Sequence, residues 1–174
     1  MYDVVVTPST YIKNSKLLSR TPERGVALSL LEEGLSAIAT DKVIQNAIAI
    51  TKDEIVFTGC DKKESRVPIA SINRIFVVAI GKCSIDASKA LERIFGEKIH
   101  EGIAVDVRGD LAPLKKIALR VGTHPYPSDQ NVEYSKEILA LLQKVEKDDL
   151  VLFIISGGAS TLLCNPDNHS CEDD

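Results

Sequence analysis

Two unbroken runs of six apolar residues, Ile75–Ile80 and Leu150–Ile155, constrain the fold of this 174-residue sequence more than any other feature. A run of this length is typical of a β-strand covered on both faces, because strands buried in parallel sheets lack apolar–polar alternation. It is far too short to cross a bilayer, which takes roughly 20 apolar residues in a helix. Both runs end in glycine turns, Gly81-Lys82 and Ser156-Gly157-Gly158-Ala159-Ser160. We therefore predict two buried strands, each followed by a turn with accessible backbone.

The segments around these runs alternate between strand and helix patterns. Thr21-Pro22-Glu23 predicts a helix start, because a hydroxyl cap, an early proline and an acid fit a helix N-terminus. The predicted elements are a strand at Tyr2–Val6, a helix from Pro22 with apolar residues at helical spacing to Ile38, a hairpin of Glu54–Gly59 and Arg66–Ile69, a helix capped by Ser84 and closed by Gly96, strands at Ile103–Val107 and Ile117–Val121, and a helix at Asn131–Glu146. Strand–helix–strand alternation predicts a three-layer α/β/α, Rossmann-like fold with a largely parallel sheet.

Charge and cysteine content exclude several classes of protein. The chain carries 21 Lys and Arg against 25 Asp and Glu, a net charge of −4, and residues 165–174 form an acidic tail. A strongly basic nucleic-acid binder is excluded, since such proteins neutralise many phosphates with Lys and Arg. We expect neither a nucleic-acid partner nor a membrane segment. Four cysteines without paired spacing, and no secretion signal, favour reduced thiols in a cytoplasmic protein.

The two glycine turns are the first candidate binding site. Ligands of open α/β sheets bind beyond the carboxyl ends of the strands, and a turn there exposes N–H groups that favour anions. Ser156, Gly157, Gly158 and Ser160 leave room for a phosphate or carboxylate, although a tight strand-to-helix connection explains the same residues. Lys82 could hold an anion as a point charge, or be a surface lysine beside Gly81.

A second candidate is the loop from Thr123 to Asp129, which contains His124 between a strand and two prolines. His124 could act as an acid, a base or a hydrogen-bond donor near neutral pH, or only hold the loop in place. Asp106, Arg108 and Asp110 follow another strand and could line the same cleft or a solvated loop. The Walker and G-x-G-x-x-G nucleotide motifs are absent, and the cysteine and histidine spacing predicts no metal site.

Three separated segments resemble the marker motifs of one family. These are Ala79-Ile80-Gly81-Lys82-Cys83, Thr123-His124-Pro125-Tyr126-Pro127 and Ile155-Ser156-Gly157-Gly158-Ala159-Ser160-Thr161-Leu162-Leu163. Their order and strand contexts are similar to those of the glycerate 2-kinases, whose C-terminal domain is called MOFRL and some of which were labelled hydroxypyruvate reductases. The resemblance covers roughly residues 22–174. It implies an N-terminal extension at 1–21, part of the kinase N-terminal α/β domain at 22–164, and a tail at 165–174.

The resemblance also implies an activity and a set of site residues. The activity is ATP-dependent phosphorylation of D-glycerate to 2-phosphoglycerate, with magnesium, so that the partners are a nucleotide and a small hydroxy acid. Lys82 would be the catalytic or substrate-anchoring cation. The substrate or phosphate would be held by the residues of the two turns and the histidine loop: Gly81, Ser156, Gly157, Gly158, Ser160 and His124.

The chain departs from the family pattern in two respects. Ala79 and Ala159 stand where the family usually has glycine, and an alanine at positive φ would cost about 1 kcal/mol. The chain also ends soon after the last motif, which predicts a truncated fragment that self-associates or needs a complementing C-terminal piece. Two alternatives stay open: a remnant or anion-binding module without turnover, and a hydroxypyruvate-type oxidoreductase, which the missing dinucleotide motif disfavours.

Overall fold

The computed structural model describes residues 10–109 and 114–166. Its helices and strands are, in chain order, α1 (Ser15–Leu18), α2 (Pro22–Ala37), α3 (Thr40–Ala47), β1 (Ile48–Ile50), β2 (Glu54–Thr58), β3 (Glu64–Pro68), β4 (Ile75–Ile80), α4 (Ser84–Phe95), β5 (Ile99–Asp106), β6 (Ile117–Val121), α5 (Asp129–Leu142), β7 (Leu150–Ile155) and α6 (Ala159–Leu162). The predicted strand at Tyr2–Val6 and most of the predicted acidic tail lie outside the described residues.

Four parallel strands form the main sheet in the order β6-β5-β4-β7. Every residue of β4 is buried, because β4 has a strand on each side and a helical layer on each face. Residues from α4, among them Leu91 and Phe95, pack on one face together with Val77. Residues of α5, among them Ile138, pack on the other face with Val78. The predicted α/β fold with three layers and a parallel sheet is therefore confirmed.

A smaller antiparallel sheet, β1-β2-β3, precedes the parallel one. The predicted hairpin is confirmed, since β2 and β3 pair in register from Glu54↔Pro68 to Thr58↔Glu64. Strand β1, Ile48–Ile50, was not predicted from the sequence. Ile48 pairs with Phe57 and is buried, so the pairing with β2 decides the conformation of this short apolar segment.

The second apolar run does form a strand over Leu150–Ile155, but the expectation that both of its faces are covered is wrong. Within the described residues, β7 pairs on one side only, with β4. Leu152 faces the α4 side and is buried. On the opposite face, Phe153 is 52% exposed and Ile155 is 73% exposed. The run of apolar residues predicted the strand correctly but not its place at the edge of the sheet.

The chain divides into two compact units, Met1–Val43 and Ile44–Asp174. In the first unit α2 begins as predicted, with the Thr21 hydroxyl accepting a hydrogen bond from the Arg24 N–H and Pro22 in the first turn. No residue of α2 is buried, so its apolar residues form no core of their own. Among the described residues, no helix combines the length and the apolar character that a membrane span requires.

Candidate functional site

The two glycine turns lie side by side at the carboxyl ends of β4 and β7. These strands are parallel neighbours with Ile80 opposite Ile155, so the residues that follow them emerge at one edge of the sheet. Two backbone hydrogen bonds join the turns: the Ser156 N–H donates to the Ile80 carbonyl at 2.9 Å, and the Lys82 N–H donates to the Gly157 carbonyl at 3.0 Å. The structure thus brings together two turns that are about 75 residues apart in the sequence.

Gly81 lets the turns approach each other closely. Its φ is +119°, a region that favours glycine, and an added Cβ would lie 2.6 Å from the Ser156 carbonyl oxygen and 2.8 Å from its carbonyl carbon. The Ser156 hydroxyl accepts a hydrogen bond from the Cys83 N–H at 3.2 Å, which adds a third link. Gly81 and Ser156 therefore shape the site by packing against each other.

The side chains of Lys82 and His124 both lie close to Gly158. Gly158 has a φ of +89°, and the point where a Cβ would stand lies 3.3 Å from the Lys82 Cε and 3.3 Å from the His124 Nε2. Lys82 is exposed and His124 is half-buried. The end of a lysine side chain, an imidazole and a glycine turn thus lie close together, an arrangement that suits an anion.

The open hydrogen-bond donors of the site belong to Gly157 and Gly158. Among the described residues no acceptor takes a hydrogen bond from either N–H group. The N–H of Gly81, by contrast, donates to the Val105 carbonyl at 3.0 Å. A Cβ at Gly157 would meet nothing within 4 Å, so this side of the turn is open to a ligand. Ser160 is exposed in α6, whose four residues add little helix dipole.

Ala159 fits the turn without strain. It is the first residue of α6, and it is not among the residues with positive φ. The residue that needs the left-handed conformation is Gly158, which precedes the helix. The replacement of a family glycine by Ala159 therefore does not carry the cost that a residue at positive φ would incur.

A buried carboxylate, that of Asp106, supports the turn that contains Lys82. Asp106, at the end of β5, has no exposed surface, so its interpretation as part of a solvated loop is wrong. It accepts hydrogen bonds from the Ser84 hydroxyl at 3.2 Å and the Ile85 N–H at 3.3 Å, and from Arg108. Ser84 is consequently not the helix cap that we predicted: it is the first residue of α4 and binds Asp106 and the Val105 carbonyl.

Arg108 connects this carboxylate to the site. Its Nη2 donates to the Lys82 carbonyl at 3.2 Å, to Asp106 at 3.3 Å and to Asp86 at 3.0 Å. Burial would raise the pKa of Asp106, but the hydrogen bonds from Arg108 and from the N–H groups of Ile85 and Arg108 outweigh burial and hold it below the usual value. Bonding to Asp106 raises the pKa of Arg108 further above its already high value. Both groups therefore stay ionised.

Asn131 holds the histidine loop in place, a role that the sequence did not indicate. It is fully buried in the first turn of α5. Its amide oxygen accepts from the Thr123 N–H at 2.9 Å, and its Nδ2 donates to the Thr123 carbonyl at 3.0 Å and the Thr161 carbonyl at 2.9 Å. One side chain thus links the loop before His124 to α6. An asparagine just after a proline-rich loop, at the start of a predicted helix, is the sequence signal that could have suggested this.

The described residues do not form a metal centre. Among them, no group of three or more His, Cys, Asp or Glu side chains could hold a metal ion. The oxygens of Asp106 accept hydrogen bonds from Ser84, Arg108 and backbone N–H groups. Asp110, His169 and Cys171 lie outside the described residues.

Comparison with known proteins identifies the family of this chain. Residues 26–173 match the family model described as a domain of unknown function, DUF4147. The "Glycerate 2-kinase" of Pyrococcus horikoshii is 29% identical over 144 residues, which are 83% of this chain and 31% of that protein. The "D-glycerate 2-kinase" of Thermotoga maritima is 29% identical over 75% of this chain and 30% of that protein. The chain belongs to the glycerate 2-kinase family.

The fold of this glycerate 2-kinase family member is shared with a solved relative. The crystal structure of a Pyrococcus horikoshii protein superposes with a TM-score of 0.74 at 28% identity, over 88% of this chain and 33% of that chain. The chain spans about a third of the length of the curated relatives it matches. It therefore corresponds to one portion of those family members, and the Lys82, His124 and Gly158 cluster lies inside that portion.

Proposed function

We propose that this chain forms the N-terminal portion of an enzyme that transfers phosphate from ATP to the 2-hydroxyl group of D-glycerate, giving 2-phosphoglycerate. The observation that carries the proposal is the convergence of Lys82, His124 and the open N–H groups of Gly157 and Gly158 at the carboxyl edge of the sheet. The names of the two relatives described above, both glycerate 2-kinases, also support the proposal.

These residues suit phosphoryl transfer because that reaction depends mainly on positioning and on neutralising charge. ATP would supply the phosphoryl group, and its phosphates or the glycerate carboxylate would bind to Lys82 and the Gly157 and Gly158 N–H groups. His124 would donate a hydrogen bond to the same anion. The described residues offer magnesium no set of ligands, so we derive no step of the reaction through a metal.

We also propose that a further polypeptide, corresponding to the remaining two-thirds of the relatives, completes the enzyme alongside β7. Strand β7 presents an unpaired edge within the described residues, and Phe153 and Ile155 are exposed beside it. Such an edge is a template for another strand, and the two side chains give that polypeptide apolar surface to cover. In the isolated chain the same surface favours self-association.

A domain graft tests the proposed activity. Residues 26–173 of this chain replace the matching portion of the Pyrococcus horikoshii glycerate 2-kinase, and ATP consumption with D-glycerate is measured in a coupled assay against the unaltered relative. We expect turnover by the graft. Lys82→Ala should lower it at least tenfold, about 1.4 kcal/mol of barrier, with an unchanged circular dichroism spectrum. Lys136→Ala, on the exposed surface of α5, is the matched control and should stay within twofold of the graft.

Other outcomes distinguish the alternatives. A folded graft that binds inorganic phosphate but does not consume ATP would refute the kinase and favour an anion-binding module. Oxidation of NADH with hydroxypyruvate would favour the oxidoreductase. Unchanged kinetics of Lys82→Ala in an active graft would show that Lys82 takes no part in the reaction.

A further inference from the structure

A cavity of about 360 Å³ opens at the edge of the parallel sheet opposite to the glycine turns. It lies where β4 and β5 begin, beside β2 of the antiparallel sheet and the segment that connects the two sheets. With a rise of roughly 3.3 Å per residue, six-residue β4 separates it from the Gly81 turn by about 17 Å. The cavity is therefore distinct from the site proposed for phosphoryl transfer, and its volume lies in the range of roughly 300–1,000 Å³ that small-molecule sites occupy.

The floor of this cavity is aliphatic. Five isoleucines line it: Ile55, Ile69, Ile72, Ile75 and Ile99. Three of them, Ile55, Ile75 and Ile99, belong to the buried core and are held in place by both sheets. Ile69 and Ile72 are half-buried in the connecting segment. A floor of this kind favours an aliphatic chain, because burying a CH₂ group stabilises a complex by about 0.8 kcal/mol.

The rim of the cavity carries an excess of positive charge. Arg74, Lys98 and Lys116 line it together with a single acid, Glu97. Lys116 pairs with Glu97 at 2.8 Å, and Arg74 pairs with Asp149 at 2.6 Å. Lys98 is exposed and forms no ion pair within the described part of the chain. Its ammonium is thus available to a negatively charged ligand head group.

We propose that this cavity binds a medium-chain aliphatic carboxylate, with the chain on the isoleucine floor and the carboxylate facing Lys98. An apolar floor with a few charged groups at the mouth is the composition of a small-molecule site, and it discriminates against both uncharged alkyl chains and small hydrophilic anions. Inorganic phosphate and D-glycerate, which suit the glycine turns, have no chain to occupy the floor. The inference does not depend on the proposed kinase activity.

The test follows octanoate binding to the 174-residue chain by NMR, with ¹³C-labelled isoleucine δ1-methyl groups. We expect saturable shifts of the five floor methyls. The methyls of Ile103 and Ile138, on the opposite face of the sheet, should stay unshifted. Lys98→Gln should weaken octanoate binding about fivefold, the equivalent of roughly 1 kcal/mol for an exposed ion pair. Lys136→Gln should stay within twofold, and 1-octanol should bind wild type at least about fivefold more weakly than octanoate.

Three results would overturn the inference. One is the absence of saturable shifts at the floor methyls. Another is a response centred on Ile155, which would indicate that octanoate coats the exposed apolar face beside β7. The third is equal affinity of wild type and Lys98→Gln, or of octanoate and 1-octanol, which would show that no charge at the rim takes part.

Discussion

Replacing Gly81 with alanine tests whether the site depends on the close approach of the two turns. An alanine at a φ of +119° costs about 1 kcal/mol in backbone conformation. Its Cβ would also stand 2.6 Å from the Ser156 carbonyl oxygen, and relieving such overpacking costs about 1–3 kcal/mol. We therefore expect Gly81→Ala to lower the free energy of unfolding by about 2–4 kcal/mol, a large share of the roughly 5–15 kcal/mol that stabilises a domain.

Urea denaturation followed by circular dichroism measures this loss. With a slope near 2 kcal/mol per molar urea, the midpoint should fall by about 1–2 M. Gly157→Ala is the matched control in the partner turn. Its Cβ would meet nothing within 4 Å, and its φ is not in the left-handed region, so its effect should stay within about 0.5 kcal/mol. Equal losses in the two variants, or a loss below about 1 kcal/mol in Gly81→Ala, would refute the argument from close approach.

Three further predictions concern the supports of the site and the open edge. Asp106→Asn should lower the free energy of unfolding by about 2–3 kcal/mol at pH 7. Folding lowers the pKa of Asp106, so the ionised carboxylate stabilises the folded chain above about pH 4. This stabilisation is lost as the pH falls through the pKa that Asp106 has in the folded chain. The urea midpoints of wild type and variant should therefore converge below about pH 4. Asn131→Ala leaves the Thr123 N–H of the histidine loop and the Thr161 carbonyl of α6 without their partner and should cost about 2–3 kcal/mol in the same assay, while the exposed neighbour variant Gln130→Ala should cost less than about 0.5 kcal/mol. Ile155→Lys should reduce self-association of the chain in sedimentation velocity, and equal association of variant and wild type would contradict an apolar interface at β7.

Much of the fold follows from local sequence patterns. The strands β4, β6 and β7 have the bounds that the sequence patterns predicted, and the hairpin lies where polar residues separate two strand patterns. The Thr21 cap before α2 and the end of α4 before Gly96 match the predicted cap and glycine. These features depend on interactions within a few residues, so the order of residue types is sufficient to predict them.

The family relationship can also be recognised from the sequence alone, because three short motifs carry it. The site residues that carry side-chain or backbone donors, Lys82, His124, Gly157 and Gly158, all belong to those motifs. Their residue types indicated anion binding, but their proximity was an inference from the rule that the strand ends of a parallel sheet share one edge.

Only the tertiary structure decided which segments became neighbours. It placed β7 at an edge and left Phe153 and Ile155 exposed, although their apolar character equals that of the buried β4. It buried Asp106 against Arg108, and joined Asn131 to the loop before His124. In each case, the order of the strands and the packing of the layers determine which residues lie next to each other. A local pattern specifies the conformation of a segment, whereas its burial and its electrostatic surroundings depend on what the rest of the chain places beside it.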